Sequence, residues 1–185
     1  MKPEVIIIAA MTADRVIGSG DKLPWHYPDD FKFFKEQTKG HAIVFGQRTY
    51  LGLPKRPLPQ RLNIVLSPDE LNEPEVIVCK NWDEVLGLSF SDLMFKTSDI
   101  PTSSCCCKCM PAEGRPKLFI GGGAMVYKTA LEADIVDTML LTEIKHKHTG
   151  DIYFPEFNPN DWSTPEILDE TEDCIFRKYV RKDRK

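Results

Sequence analysis

The chain has 185 residues, 42% of them hydrophobic, and a formal charge of −4. That length buries one substantial core and is short for two, so residues 1–185 read as a single domain. The acidic balance argues against a general nucleic-acid binder, and the apolar run at residues 5–10 is too short for a membrane span or signal segment. We therefore expect a soluble, cytoplasmic protein, and we expect a monomer.

Taken in order, residues 5–10 (Val-Ile-Ile-Ile-Ala-Ala) form a continuous apolar run, as in a strand buried on both faces. A loop with Gly18, Gly20 and Pro24 follows, then a predicted helix over 28–39. Pro28 suits its first turn, where a missing N–H is harmless. Asp29 and Asp30 lie where the helix dipole favours negative charge. One carboxylate suffices for that purpose. The second is flanked by Phe31 and Phe34, at the edge of an apolar stripe where burial would raise its pKa. Residues 41–46 read as a second strand that turns through Gln47, Arg48 and Thr49 into a short helix. Pro54, Pro57 and Pro59 impose irregular backbone before a third strand at 61–67. A fourth follows at 76–79, then a helix capped by Asn81. Residues 118–120 form a fifth strand running through three glycines into a helix that ends near Ala133. Late strands at 138–145 and 175–181 pair antiparallel. Strands alternating with helices define an α/β fold with a mostly parallel sheet.

Residues 90–116 lack periodicity and read as a surface insert. Four of the six cysteines crowd there, at Cys105, Cys106, Cys107 and Cys109. Cys106 and Cys109 make a C-x-x-C without a second ligand pair at zinc spacing, so neither a metal site nor a disulfide framework is expected. His146 and His148, alternating with Lys145 and Lys147, read as the solvent face of a strand.

Two strand-to-helix junctions carry the features of phosphate sites. Gly121-Gly122-Gly123 lets backbone approach a pyrophosphate, though it lacks the full dinucleotide fingerprint. Gly46-Gln47-Arg48-Thr49 adds a planar cation suited to a phosphate monoester. Arg61, after a proline-ordered loop, can clamp a carboxylate. With an acid in an aromatic slot, these features point to a dinucleotide and a flat, partly cationic heterocycle.

Leu23-Pro24-Trp25, Asp30, Phe34-Lys35, Gly46-x-x-Thr49, Arg56-Pro57-Leu58-Pro59-x-Arg61, residues 63–67, Gly122-Gly123-x-x-Val126-Tyr127, Leu141-Thr142-x-Ile144 and Gly150-Asp151-x-x-Phe154-Pro155 occur in an order that resembles dihydrofolate reductase. The resemblance covers residues 5–87 and 117–181. It implies a three-layer domain with helices on both faces of the sheet, and NADPH-dependent reduction of dihydrofolate by hydride transfer to C6 with protonation at N5. By that resemblance Asp30 anchors the pterin, Thr142 supports it, Ile8 and Gly121 offer carbonyls, and Ala9, Phe31, Phe34 and Leu53 line the pocket. Arg61 pairs with the glutamate carboxylate. Leu23 belongs to a lid steadied by Asp151, and Trp25 holds a water near Asp30. Ala10, Ile17, Gly46, Gln47, Arg48, Thr49, Leu66, Ser67, Lys80, Gly122, Gly123, Ala124, Met125, Val126 and Tyr127 match cofactor positions, with a cis peptide between Gly122 and Gly123. Gln47 departs from the family, where a basic residue is common, leaving Arg48, Ser67 and Lys80 to hold the 2′-phosphate. The alternative is a non-catalytic binding or assembly protein that retains the fold and uses the cysteine-bearing insert as its contact.

Overall fold

The computed structural model describes residues 2–20, 22–88 and 115–182. The cysteine cluster and nearly all of the expected insert at 90–116 lie outside the described residues. Eight strands form one sheet: β1 (Glu4–Thr12), β3 (Ala42–Gly46), β4 (Leu62–Leu66), β5 (Val76–Cys79), β6 (Lys117–Gly122), β7 (Thr138–Ile144), β9 (Glu166–Glu170) and β10 (Cys174–Val180). Their order is β5-β4-β3-β6-β1-β7-β10-β9. Pairs from β5 through β7 are parallel, and β10 runs antiparallel to both β7 and β9. The mostly parallel sheet with an antiparallel C-terminal strand is as expected.

The double-sided burial of β1 explains its unbroken apolar sequence. Val5, Ile7 and Ala9 join one core cluster with Val44, Ile64, Ile120 and Leu141. Ile6 and Ile8 join the opposite cluster with Ile43, Phe45, Val65 and Phe119. Helices α3 (Trp82–Gly87) and α4 (Ala124–Glu132) cover the first face through Val85, Val126, Tyr127 and Ala130. Helices α1 (Pro28–Thr38) and α2 (Gln47–Leu51) cover the second through Phe33, Phe34 and Tyr50. Side chains alternate across a strand, so residues 5–9 of β1 are apolar on both faces.

Several expectations change in detail. A two-stranded sheet of β2 (Val16–Gly18) and β8 (Ile152–Tyr153) was not legible, because so few residues carry no periodicity. Strand β9 was also missed, since all five of its residues are exposed. His146 and His148 lie beyond the end of β7, in the loop to β8, and both have side-chain partners. Helix α1 is capped by Tyr27 without a side-chain hydrogen bond, so neither acid serves as its cap. Asn81 does cap α3, accepting from Glu84 N at 2.9 Å.

One buried amide shapes the connection before β4. Asn63 Oδ1 accepts from Leu58 N at 2.9 Å, while its Nδ2 donates to Leu58 O at 2.9 Å and Arg61 O at 3.0 Å. Asn63 is 2% exposed, so water cannot replace these bonds. Asn63→Ala should lower unfolding free energy by about 2–3 kcal/mol, the cost of stranding buried backbone groups. Urea denaturation measures this, and a loss below about 0.5 kcal/mol would show that the loop relaxes freely.

Candidate active site

Strand β6 enters the sheet between β3 and β1 although it follows both in sequence. Such a reversal leaves a crevice at the carboxyl ends of parallel strands, the usual ligand site of open α/β sheets. Ala9 and Ala10, Gly46, Leu66, and Gly121 and Gly122 occupy those ends.

Asp30 meets these strand ends through Thr142 on β7, which is in register with Ala10 on β1. It lies three residues into α1, and its stripe continues through Phe33, Phe34, Gln37 and Thr38 at helical spacing. It is 8% exposed. Burial raises its pKa above the ordinary carboxylate value, while a hydrogen bond with Thr142 on β7 opposes that shift. Thr142 is itself buried. Phe34 and Leu53 both pack against the core cluster of Ile6 and Ile8, whereas Phe31, one residue round the helix, is more open and lies tilted against His26 at 5.0 Å.

Trp25 is buried on Val16, Ile144, Cys174 and Phe176. Its Nε1–H has no hydrogen-bond partner among the described residues. A buried indole donor without an acceptor is rare and marks a place for a polar ligand atom. Leu23, by contrast, is 47% exposed at the loop edge. The loop is tied down beyond it: Asp151 Oδ1 accepts from Gly20 N at 2.8 Å, and Asp151 N donates to Gly18 O at 3.2 Å.

Arg61 is fixed in place by three bonds. Nε donates to Thr38 Oγ1 at 2.7 Å, Nη1 to Pro59 O at 2.8 Å, and Nη2 to Lys35 O at 3.3 Å. Its guanidinium also lies 5.9 Å from the Phe34 ring centre. A cation held in one plane beside an aromatic slot suits a carboxylate at the end of a flat ligand.

The two glycine junctions meet each other. A Cβ on Gly46 would lie 2.8 Å from Val126 Cγ2, and one on Gly123 would lie 2.7 Å from Thr49 Oγ1. Gly122 has φ +122°, which side-chain-bearing residues avoid. The Gly122–Gly123 peptide is cis, as expected. These cradles would be filled by any side chain, and they fit the close backbone approach that a dinucleotide needs. Ala124, Met125 and Val126 form the first turn of α4, with Met125 on the surface. Ile17 and Leu66 pack against the neighbouring core. Helix α2 has only five residues, so any phosphate contact there rests on Gln47, Arg48 and Thr49 as side chains.

Three expected residues have other partners already. Tyr127 donates its hydroxyl to Ile8 O at 2.9 Å, so it shapes the floor from below and takes one of that carbonyl's two lone pairs. Ser67 Oγ lies 2.9 Å from Gln47 Oε1 and 3.0 Å from Asp69 O. Lys80 uses only its backbone N–H, donated to Glu84 Oε2 at 2.7 Å, so its side chain is not engaged by this bond. Sequence reading missed Phe33, whose ring lies 4.5 Å from Phe176, and the contacts of Tyr27 with His148. The helical spacing from Asp30 could have found Phe33. Nothing in the sequence indicated the second pair.

Comparison with known proteins agrees with this geometry. The family model described as dihydrofolate reductase matches residues 4–180. Dihydrofolate reductase of Bacillus subtilis (strain 168) is 32% identical over 171 residues, spanning 91% of this chain and 86% of that protein. The Aedes albopictus enzyme is 33% identical over 191 residues, spanning 94% and 93% respectively. Among solved structures, dihydrofolate reductase from Enterococcus faecalis, complexed with NADP(H) and RAB-propyl, aligns with a TM-score of 0.73 and 30% identity over 97% of both chains. With its acid-bearing helix, glycine junctions and switch-point crevice, the chain belongs to the dihydrofolate reductase family.

Proposed function

We propose that this chain reduces 7,8-dihydrofolate to 5,6,7,8-tetrahydrofolate with NADPH, and that Asp30 is the residue on which substrate binding turns. The observation that supports this reading most is a carboxylate that is buried at the start of α1 and hydrogen-bonded to Thr142. A flat heterocycle with an amidine-like edge offers two N–H donors to such a carboxylate, giving a bidentate, charge-assisted contact. Backbone carbonyls of Ile8 and Gly121 complete the rim. Ala9, Phe31, Phe34 and Leu53 pack on the ring and its extension, and Arg61 takes the glutamate carboxylate.

Bound NADPH supplies the hydride that adds at C6. Ala10, Ile17, Gly46, Gln47, Arg48, Thr49, Leu66, Ser67, Lys80, Gly122, Gly123, Ala124, Met125 and Val126 would hold it, with Tyr127 supporting the floor from beneath. Trp25 offers its free Nε1–H to a water beside Asp30, from which N5 is protonated. Leu23 and its loop exclude bulk water when closed. The chain's share of the chemistry is alignment, dehydration and electrostatics, with no acid–base pair. In this reading the protein works as one domain, as a monomer in the cytoplasm. Among the described residues no helix is long and apolar enough to cross a membrane. A scaffold that had merely kept the fold would gain nothing from burying an acid.

Two outcomes test the role of Asp30 together. NADPH oxidation should depend on added dihydrofolate, and Asp30→Asn should lower its kcat/KM by about 10²–10⁴-fold near neutral pH. Absence of turnover in the wild type would overturn the activity, and full activity in the variant would overturn the role. Stability should move the other way. The folded pKa of Asp30 is raised, so the unfolded chain loses this proton first as pH rises, and stability falls between the two pKa values. Asp30→Asn should therefore have the higher Tm at pH 7, with the difference vanishing below about pH 4, where the unfolded carboxyl is also protonated. A lower Tm at pH 7 would mean that the charged form is welcome in the free fold.

A further inference from the structure

We propose that Tyr27 and His148 form a positioning pair that holds Trp25 and the start of α1 in register with the lid. The inference rests on the dihydrofolate reductase reading above and gives these two residues a part in the reaction.

The loop between β7 and β8 touches three parts of the site. At its far end Asp151 grips Gly18 and Gly20. At its near end Lys145 N donates to Asp173 O at 2.9 Å, and His146 Nε2 lies 2.7 Å from Asp173 Oδ1. Between these anchors, His148 Nε2 is 2.9 Å from the Tyr27 hydroxyl, and its ring centre is 5.2 Å from that of Trp25. The Tyr27 ring also stacks on His146, at 6.1 Å and 16°. One loop thus spans the lid, Trp25 and α1.

Tyr27 occupies the cap of α1, three residues before Asp30, with its carbonyl accepting from Phe31 N at 3.2 Å. Ser, Thr, Asp and Asn are favoured there because their short side chains satisfy a free N–H. Tyrosine cannot do this, and here its hydroxyl reaches across to the loop instead. Trp25 has no polar partner among the described residues, so packing alone sets its position, and His148 supplies one wall of that packing. A hydroxyl can donate or accept, so the Tyr27–His148 bond survives either charge state of the imidazole. It is a fixed brace and not a pH switch.

The test compares Tyr27→Phe, His148→Ala, His148→Gln and the double variant Tyr27→Phe/His148→Ala. Either single loss should lower kcat about three- to tenfold, as removal of one hydrogen bond allows, with KM for dihydrofolate held within about twofold. The double variant should be no slower than the worse single one, and glutamine, whose amide can meet the hydroxyl, should restore most of the rate. In ¹⁵N–¹H spectra the Trp25 indole resonance should shift in Tyr27→Phe and His148→Ala, while those of Trp82 and Trp162 stay in place. Wild-type rates in both single variants, additive losses, or an unmoved Trp25 resonance would overturn the pair. The indole resonance does not depend on turnover. An inactive wild type would therefore count against the proposed activity, and the spectrum would still decide the brace.

Discussion

The arrangement of the site follows from one buried charge. Asp30 lies among apolar groups, and its carboxylate is disfavoured there until a ligand compensates it. Neighbouring groups that could ionise are kept neutral. Burial, then the charge of Asp30, pushes the Cys174 thiol up to about 11, and the same two causes push the Tyr127 phenol higher still. Thr142 supplies a hydrogen bond that favours the ionised form. The slot is thus prepared for a cationic or donor-rich edge and opposes other charges.

Topology places that charge where a second ligand can reach it. Because β6 returns between β3 and β1, the glycine junctions after β3 and β6 stand side by side at the mouth of the same crevice. Tyr127 joins the two halves. Its ring underlies Gly122 and its hydroxyl meets Ile8, so the junction and the pocket floor share one buried residue. Arg61 is fixed at the opposite end by α1 and Pro59, so the slot has a defined length. A preorganised site of this kind gains rate by removing the cost of alignment.

Much of this was legible in the residues. The unbroken apolar run of β1 implied a strand buried on both faces, while two acids beside Phe31 and Phe34 left a capping and a functional role both open until the order of motifs was added. Resemblance in the order of motifs divided the labour among Trp25, Asp30, Arg61 and Thr142. Other features left no trace in local sequence. Strand β9 lacks a buried face, β2 and β8 are too short for a period, and the Tyr27–His148 contact joins residues 121 positions apart. Tyr127 follows the glycine junction in sequence, but its hydroxyl partner depends on how β6 lies against β1. Local pattern reports burial. Partnership across the fold needs coordinates.

A bound ligand offsets the cost of the Asp30 charge. Carbon-13 NMR of the Asp30 carboxyl, followed through a pH titration, tests this directly in the free protein and in its complex with NADPH and a 2,4-diaminopyrimidine. The free protein should titrate above the ordinary carboxylate value. In the complex the carboxylate should stay ionised to lower pH than in the free protein, held by the cationic amidine. A titration that is unchanged or moves upward on binding would contradict the account.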